Sequence, residues 1–202
     1  MQEAFIGNWA QQSHVSPDHL NSMRGLNRRF LDLAGNGLLN PGLGAQFAPL
    51  SPAQRAAAAD CPYALFDLRF DDYIYWKGRF ETIGAWRIAD EERSCEDTVD
   101  FVRLALFYSW HLASSAPLTA HLLFGLRANT VEGFRRLALD DLSTLAYSEA
   151  ANLAARWSGC TAYWTTLVRA AARPDPAALR RVQLSGFQLA AASQLPSEPR
   201  EV

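Results

Sequence analysis

A mainly α-helical protein, a multi-helix orthogonal bundle carrying a helix-turn-helix-like unit, is what this sequence predicts. Three observations carry that expectation. Apolar residues recur at helical spacing in one segment after another. Ser, Asp and Pro open those segments and Gly closes several of them, as helix ends require. Only one short stretch, Phe66-Asp67-Leu68-Arg69-Phe70, alternates with period two. With 202 residues, 49% of them hydrophobic and 11% aromatic, the chain can fill one core, expected as a single domain over residues 1–195.

Residues 1–15 read as an arm. Ser16-Pro17-Asp18 is an N-cap with Pro at the first helical position, and Leu20, Met23, Leu26, Phe30, Leu31 and Ala34 keep helical spacing until Gly35. Residues 35–50, with Asn40-Pro41 and four Gly, read as a loop. Ser51-Pro52 starts a short alanine-rich helix that stops before Cys61-Pro62. Asp71-Asp72 can turn the alternating stretch back into Tyr73-Ile74-Tyr75-Trp76, which predicts a small β-hairpin near 65–76. Ser94 with Asp97 three residues on resembles a capping box, opening a helix through Val99, Val102, Leu106, Tyr108 and Trp110. Pro117 begins the next helix, which ends at Gly125. Asp140 or Asp141 caps a longer one through Leu142, Leu145, Leu153 and Trp157 to Gly159. Residues 161–172 form another, Asp175-Pro176 opens the last, and the tail from Pro196 reads as frayed. The pattern shows no internal repeat.

The most informative stretch runs from Gly125 to Leu137, inside a helix-turn-helix-like unit over 117–158. Gly ends an apolar helix because it takes the left-handed conformation at no steric cost. Asn129 is a good N-cap for a second helix. Val131, Phe134 and Leu137 then fall on one buried stripe. The opposite face carries Arg127, Asn129, Thr130, Arg135 and Arg136, side chains of the types that contact phosphates and base edges. These five are the expected DNA-binding residues. Two positions fit less well. Gly133 costs about 1 kcal/mol inside a helix relative to Ala. His121 stands four residues before Gly125, where such motifs keep a small side chain.

The run Leu123 to Tyr147 resembles the C-terminal helical unit of the FlhD-type flagellar transcriptional activators. It shares a leucine–glycine turn, a short helix, a leucine, a four-residue gap and a leucine-rich helix. The resemblance implies a transcription regulator that acts as an oligomer with a partner subunit.

A second informative feature is the aromatic segment Tyr63, Phe66, Phe70, Tyr73, Tyr75, Trp76, Phe80 and Trp86. Aromatics bury most of their area by default, so core packing is one reading. A partner surface formed by Tyr73, Tyr75 and Trp76 is the other, since aromatics are enriched in interface hot spots.

The net charge is −2, but it is unevenly spread. Residues 61–100 hold five basic against ten acidic side chains, and residues 101–202 hold ten against seven. An anion-binding surface therefore belongs in the C-terminal half. Cys61, Cys95 and Cys160 are odd in number and far apart, which predicts a reducing, cytoplasmic compartment. No apolar run approaches a membrane span, and Met1-Gln2-Glu3-Ala4-Phe5-Ile6 lacks the basic region of a signal peptide. The glycines of 35–44 fit no phosphate loop, the four histidines fit no zinc spacing, and no Ser sits in a nucleophile elbow. No cofactor or metal is expected.

The function expected from the sequence is a DNA-binding bacterial transcriptional regulator. A homodimer joined at or near residues 160–195 is expected to present the reading helices. The alternatives are a helical interaction protein without a DNA role and an enzyme with an unrecognised site.

Overall fold

Ser16 accepts a hydrogen bond from the His19 amide at 3.2 Å, and Pro17 occupies the first turn, so helix α1 (Pro17–Gly35) starts where its cap dictates. The structure, a computed structural model, describes residues 15–37, 41–83, 95–173 and 175–194. Most of the expected arm, the Ser94 capping position and the tail from Pro196 lie outside the described residues. Helices α2 (Pro41–Phe47) and α3 (Pro52–Ala59) pack on α1. Ser51 and Gln54 cap α3 reciprocally, each side chain meeting the other's amide. The strand β1 (Phe66–Asp67) leads to α4 (Tyr73–Thr82), opened by the Asp72 carboxylate, which accepts from the Tyr75 amide at 2.9 Å.

Helix α5 (Glu96–Ser115) follows, with Cys95 at its N-cap. Pro117 begins α6 (Pro117–Phe124), and Gly125, at φ 81°, ends it. Helices α7 (Ala128–Arg135) and α8 (Leu139–Glu149) pack on α5. A short 3-10 turn (Ala150–Asn152) leads into strand β2 (Ala154–Ala155), then α9 (Thr161–Ala171) and α10 (Pro176–Gln194). Asp175 caps α10 through the Ala177 and Ala178 amides. The fold is mainly α, with ten α-helices and one two-stranded ladder among the described residues. One continuous core runs through it, from Met23 and Phe30 to Phe66, Val102, Leu106, Phe134 and Trp164.

Three expectations change. Residues 35–50 are not simply a loop, because α2 forms there despite its glycines, packed against α1 and α9. The hairpin near 65–76 does not form. Its first strand pairs instead with distant β2, and Tyr73-Ile74-Tyr75-Trp76 is the first turn of α4. The long helix expected to reach Gly159 stops at Glu149, where the 3-10 turn breaks it and Leu153 enters extended backbone.

The chain also contains an internal repeat that the residue pattern hides. The four left-handed residues among those described fall in two pairs 88 positions apart: Gly37 with Gly125, at φ 76° and 81°, and Arg69 with Trp157, at φ 58° and 53°. The strands Phe66–Asp67 and Ala154–Ala155 have the same offset, as do the N-caps Asp72 and Cys160. The dipeptides Tyr75-Trp76 and Tyr163-Trp164 match as well. After one deletion, Phe47 matches Phe134, and Gln54, which accepts from the Ser51 amide, matches Asp141, which accepts from the Ala138 amide.

The contacts between the halves are reciprocal. Strand register pairs Phe66 with Ala155 and Asp67 with Ala154, a pairing that maps onto itself when the copies are exchanged. Helix α4 of the first copy packs on α7 of the second, and α9 of the second packs on α2 and α3 of the first. Trp76 meets Phe134 at a ring separation of 4.9 Å, and its counterpart Trp164 meets Phe47 at 5.9 Å. Such i-to-j and j-to-i contact is the signature of a two-fold interface, here closed within one chain. At the same offset helix α10 falls on residues 88–106, of which 96–106 belong to α5.

Candidate nucleic-acid interface

The α6–turn–α7 unit is built from its buried side outward. Leu126 is fully buried in the turn, and Val131, Phe134 and Leu137 turn inward beneath it. Phe134 meets Phe70, Trp76 and Phe80 at ring separations of 6.2, 4.9 and 5.6 Å. Burial of such a ring is worth about 1.5–3 kcal/mol, enough to hold an eight-residue helix that would not persist alone. Trp110 closes the far end by donating its indole N–H to the Leu137 carbonyl at 3.1 Å.

Both awkward positions gain a reason. A Cβ on Gly133 would stand 2.0 Å from the Phe80 ring, so glycine is the residue that lets α4 lie flat against α7. His121 is not in the way of the turn; its Nδ1 donates to the Leu126 carbonyl at 2.8 Å and pins it.

Arg127, Ala128, Asn129, Glu132, Arg135 and Arg136 are exposed and share one face of α7. Four of the five expected DNA contacts therefore stand in solvent together. Thr130 does not. It is fully buried and its Oγ1 has no hydrogen-bond partner, on a helix that packs against α5 and α6. Asn129 is not the N-cap either; α7 begins at Ala128, and the Arg127 carbonyl accepts from the Val131 amide at 2.9 Å. Glu132 lies between Arg135 and Arg136, with N–O separations of 3.4 and 3.1 Å. Both arginines thus share one acid in the free protein, while Arg127 lies within electrostatic reach of the Asp72 carboxylate; the three arginines and Glu132 alone sum to two positive charges.

The residues expected as a partner surface divide. Trp76 is fully buried in the aromatic cluster, since α4 is a helix and turns that side inward. Tyr73 and Tyr75 are half-buried. The Tyr75 hydroxyl donates to Glu149 at 2.5 Å, and Arg79 and Asn152 complete the shell of that fully buried carboxylate. Burial, with the neighbouring Glu149 carboxylate, pushes the Tyr75 phenol well above its usual range. At the equivalent junction Tyr163 faces the Cys61 thiol, and burial drives that thiol up to about 12. One junction is ionic and the other neutral, although they occupy matched places.

A small cavity of about 140 Å³ lies beside the turn between α6 and α7, lined by Asp67, Asp71, Phe124, Gly125, Arg156, Trp157 and Ser193. Arg156 is 6% exposed and donates to the Leu123 carbonyl at 3.2 Å; among the described residues it forms no ion pair. Burial lowers its pKa, partly offset by Asp67 and Asp71. Burial likewise raises the Asp67 carboxyl, whose Oδ1 accepts from the Phe70 amide. The chamber can hold a few waters and bind a small polar group. Nothing local marks it in the sequence, because its two charged sides come from opposite copies of the repeat.

Among the described residues no three His, Cys, Asp or Glu side chains converge as metal ligands, and no helix is long and apolar enough to cross a membrane. Comparison with protein-family models, with curated proteins and with solved structures finds no match for this chain.

Proposed function

We infer that the chain is a DNA-binding transcriptional regulator that lays α7 in the major groove through Arg127, Asn129, Arg135 and Arg136. The observation that carries this reading is the α6–turn–α7 unit. Two eight-residue helices flank a left-handed glycine turn, one face is locked into the core, and the other is open and positively charged. Glu132 does not oppose it strongly. An exposed ion pair is worth about 0–1 kcal/mol, so duplex phosphates can take Arg135 and Arg136 from it at small cost. The regulatory role rests on the resemblance of Leu123 to Tyr147 to the FlhD-type activators.

The test is a gel-shift titration across salt concentrations. Replacing Arg135 and Arg136 by Ala is expected to weaken binding and reduce the salt slope by about two, roughly one per lost phosphate contact. Wild-type protein that binds no genomic fragment, or binds independently of salt, would remove this reading.

A second reading has its own support. Leu184 and Phe187 are 63% and 43% exposed on α10, beside an open groove of about 880 Å³ between α9 and α10. Exposed apolar side chains next to a groove suit contact with another protein. Self-association through residues 160–195 would have to use α10, because Tyr163, Trp164 and Leu167 of α9 are already buried within the chain. A single species at monomer mass in light scattering would remove the homodimer form of this reading.

A further inference from the structure

Helix-turn-helix proteins ordinarily reach two reading helices by pairing two chains about a two-fold axis. Here the two-fold contact already exists inside one chain, around the β1–β2 ladder, with α4 and α9 exchanged between the copies. The first copy therefore has its own counterpart of the reading helix, α2, which follows the left-handed Gly37 as α7 follows Gly125.

The two counterparts have diverged in chemistry. Helix α2 reads Pro41-Gly42-Leu43-Gly44-Ala45-Gln46-Phe47 and carries no charge. The positions matched to Arg135 and Arg136 are Ala48 and Pro49, both exposed. Ala48 and Pro49 can neither neutralise a phosphate nor donate to base edges, and Gln46, the polar side chain of α2, donates to the Gly42 carbonyl of its own helix. The polar junctions have diverged in the same direction. The ionic Tyr75–Glu149–Arg79 contact faces one way and the neutral Tyr163–Cys61 contact the other, so the copies are no longer interchangeable.

We propose that the chain is a fused pseudo-dimer that engages duplex DNA as a single molecule, reading one half-site through α7 alone while α2 serves only to complete the fold. This rests on the DNA-binding reading above. The internal two-fold replaces the second chain that such a unit ordinarily needs, and the loss of charge on α2 makes the recognised site asymmetric.

The experiment measures, for the full chain, the mass of the protein–DNA complex and the affinity of two charge variants. A genomic fragment selected by wild-type binding is the probe. One chain per bound site is expected. The double variant Ala45→Glu with Ala48→Glu, at exposed positions of the α2 region, is expected to bind within about twofold of wild type, whereas Arg135→Glu with Arg136→Glu is expected to lose at least tenfold. Circular dichroism checks that both variants are folded. Two chains on each site would overturn the single-molecule proposal and leave the DNA reading standing. So would a folded Ala45→Glu, Ala48→Glu variant that loses as much affinity as the arginine variant. If the wild type selects no fragment at all, the DNA reading falls and this proposal falls with it.

Discussion

Asp67 and Arg156 approach one another from opposite copies of the repeat, and neither is comfortable as an ion. Burial raises the Asp67 carboxyl, so the folded state holds its proton more tightly than the unfolded chain does. Its contribution to stability is therefore full below the unfolded value of about 4 and is lost as pH rises through the folded one. Asn at this position keeps the Oδ1 acceptor for the Phe70 amide and carries no charge to desolvate. Asp67→Asn is expected to raise Tm by a few degrees at pH 7, with the gain disappearing near pH 3, as read by thermal melts across pH. A variant less stable than wild type at pH 7 would mean that the Arg156 guanidinium outweighs desolvation. At this scale the sequence is legible on the exposed face of α7, where Arg127, Asn129, Arg135 and Arg136 follow from helical spacing. It is illegible for Thr130, because the helix starts two positions earlier, with its N-cap at Arg127 instead of Asn129, and this short polar side chain is buried.

The elements that hold the copies together are α4 and α9, each a helix of ten or eleven residues with one inward tryptophan. Trp76 and Trp164 are 0% and 2% exposed. Truncating a buried aromatic of this size costs roughly 3–5 kcal/mol. Trp76→Ala and Trp164→Ala are each expected to fall in that range by urea denaturation, although the two side chains lie far apart in sequence. A cost below about 1 kcal/mol for either would show that its copy can stand without that contact. Elements with local signals are legible in the sequence: α1 and α3 from Ser-Pro caps, α6 and α7 from the glycine turn. Helix α2 is not, since its glycines lower its intrinsic propensity and its stability comes from α1 and α9. The β1–β2 pair is invisible for a different reason. Each strand is two residues long, and its partner lies 88 positions away, beyond the reach of any periodicity.

Across the whole molecule, the exchange of α4 and α9 leaves neither copy with a complete core of its own. One cooperative unfolding transition is expected, with far-ultraviolet circular dichroism and tryptophan fluorescence changing together. Two separated transitions would mean that the copies fold independently. The repeat itself is hard to read from residues, because the matched positions keep backbone conformation and burial while side chains change: Arg69 against Trp157, Cys61 against Glu149. The same interlocking has a consequence for biosynthesis. Trp76 and Phe80 leave the ribosome well before Phe134, the ring that covers them, has been translated. Phe47 waits longer still, for Trp164. Through most of translation the nascent chain therefore carries uncovered aromatic surface, open to chaperones and to its neighbours on the same polysome.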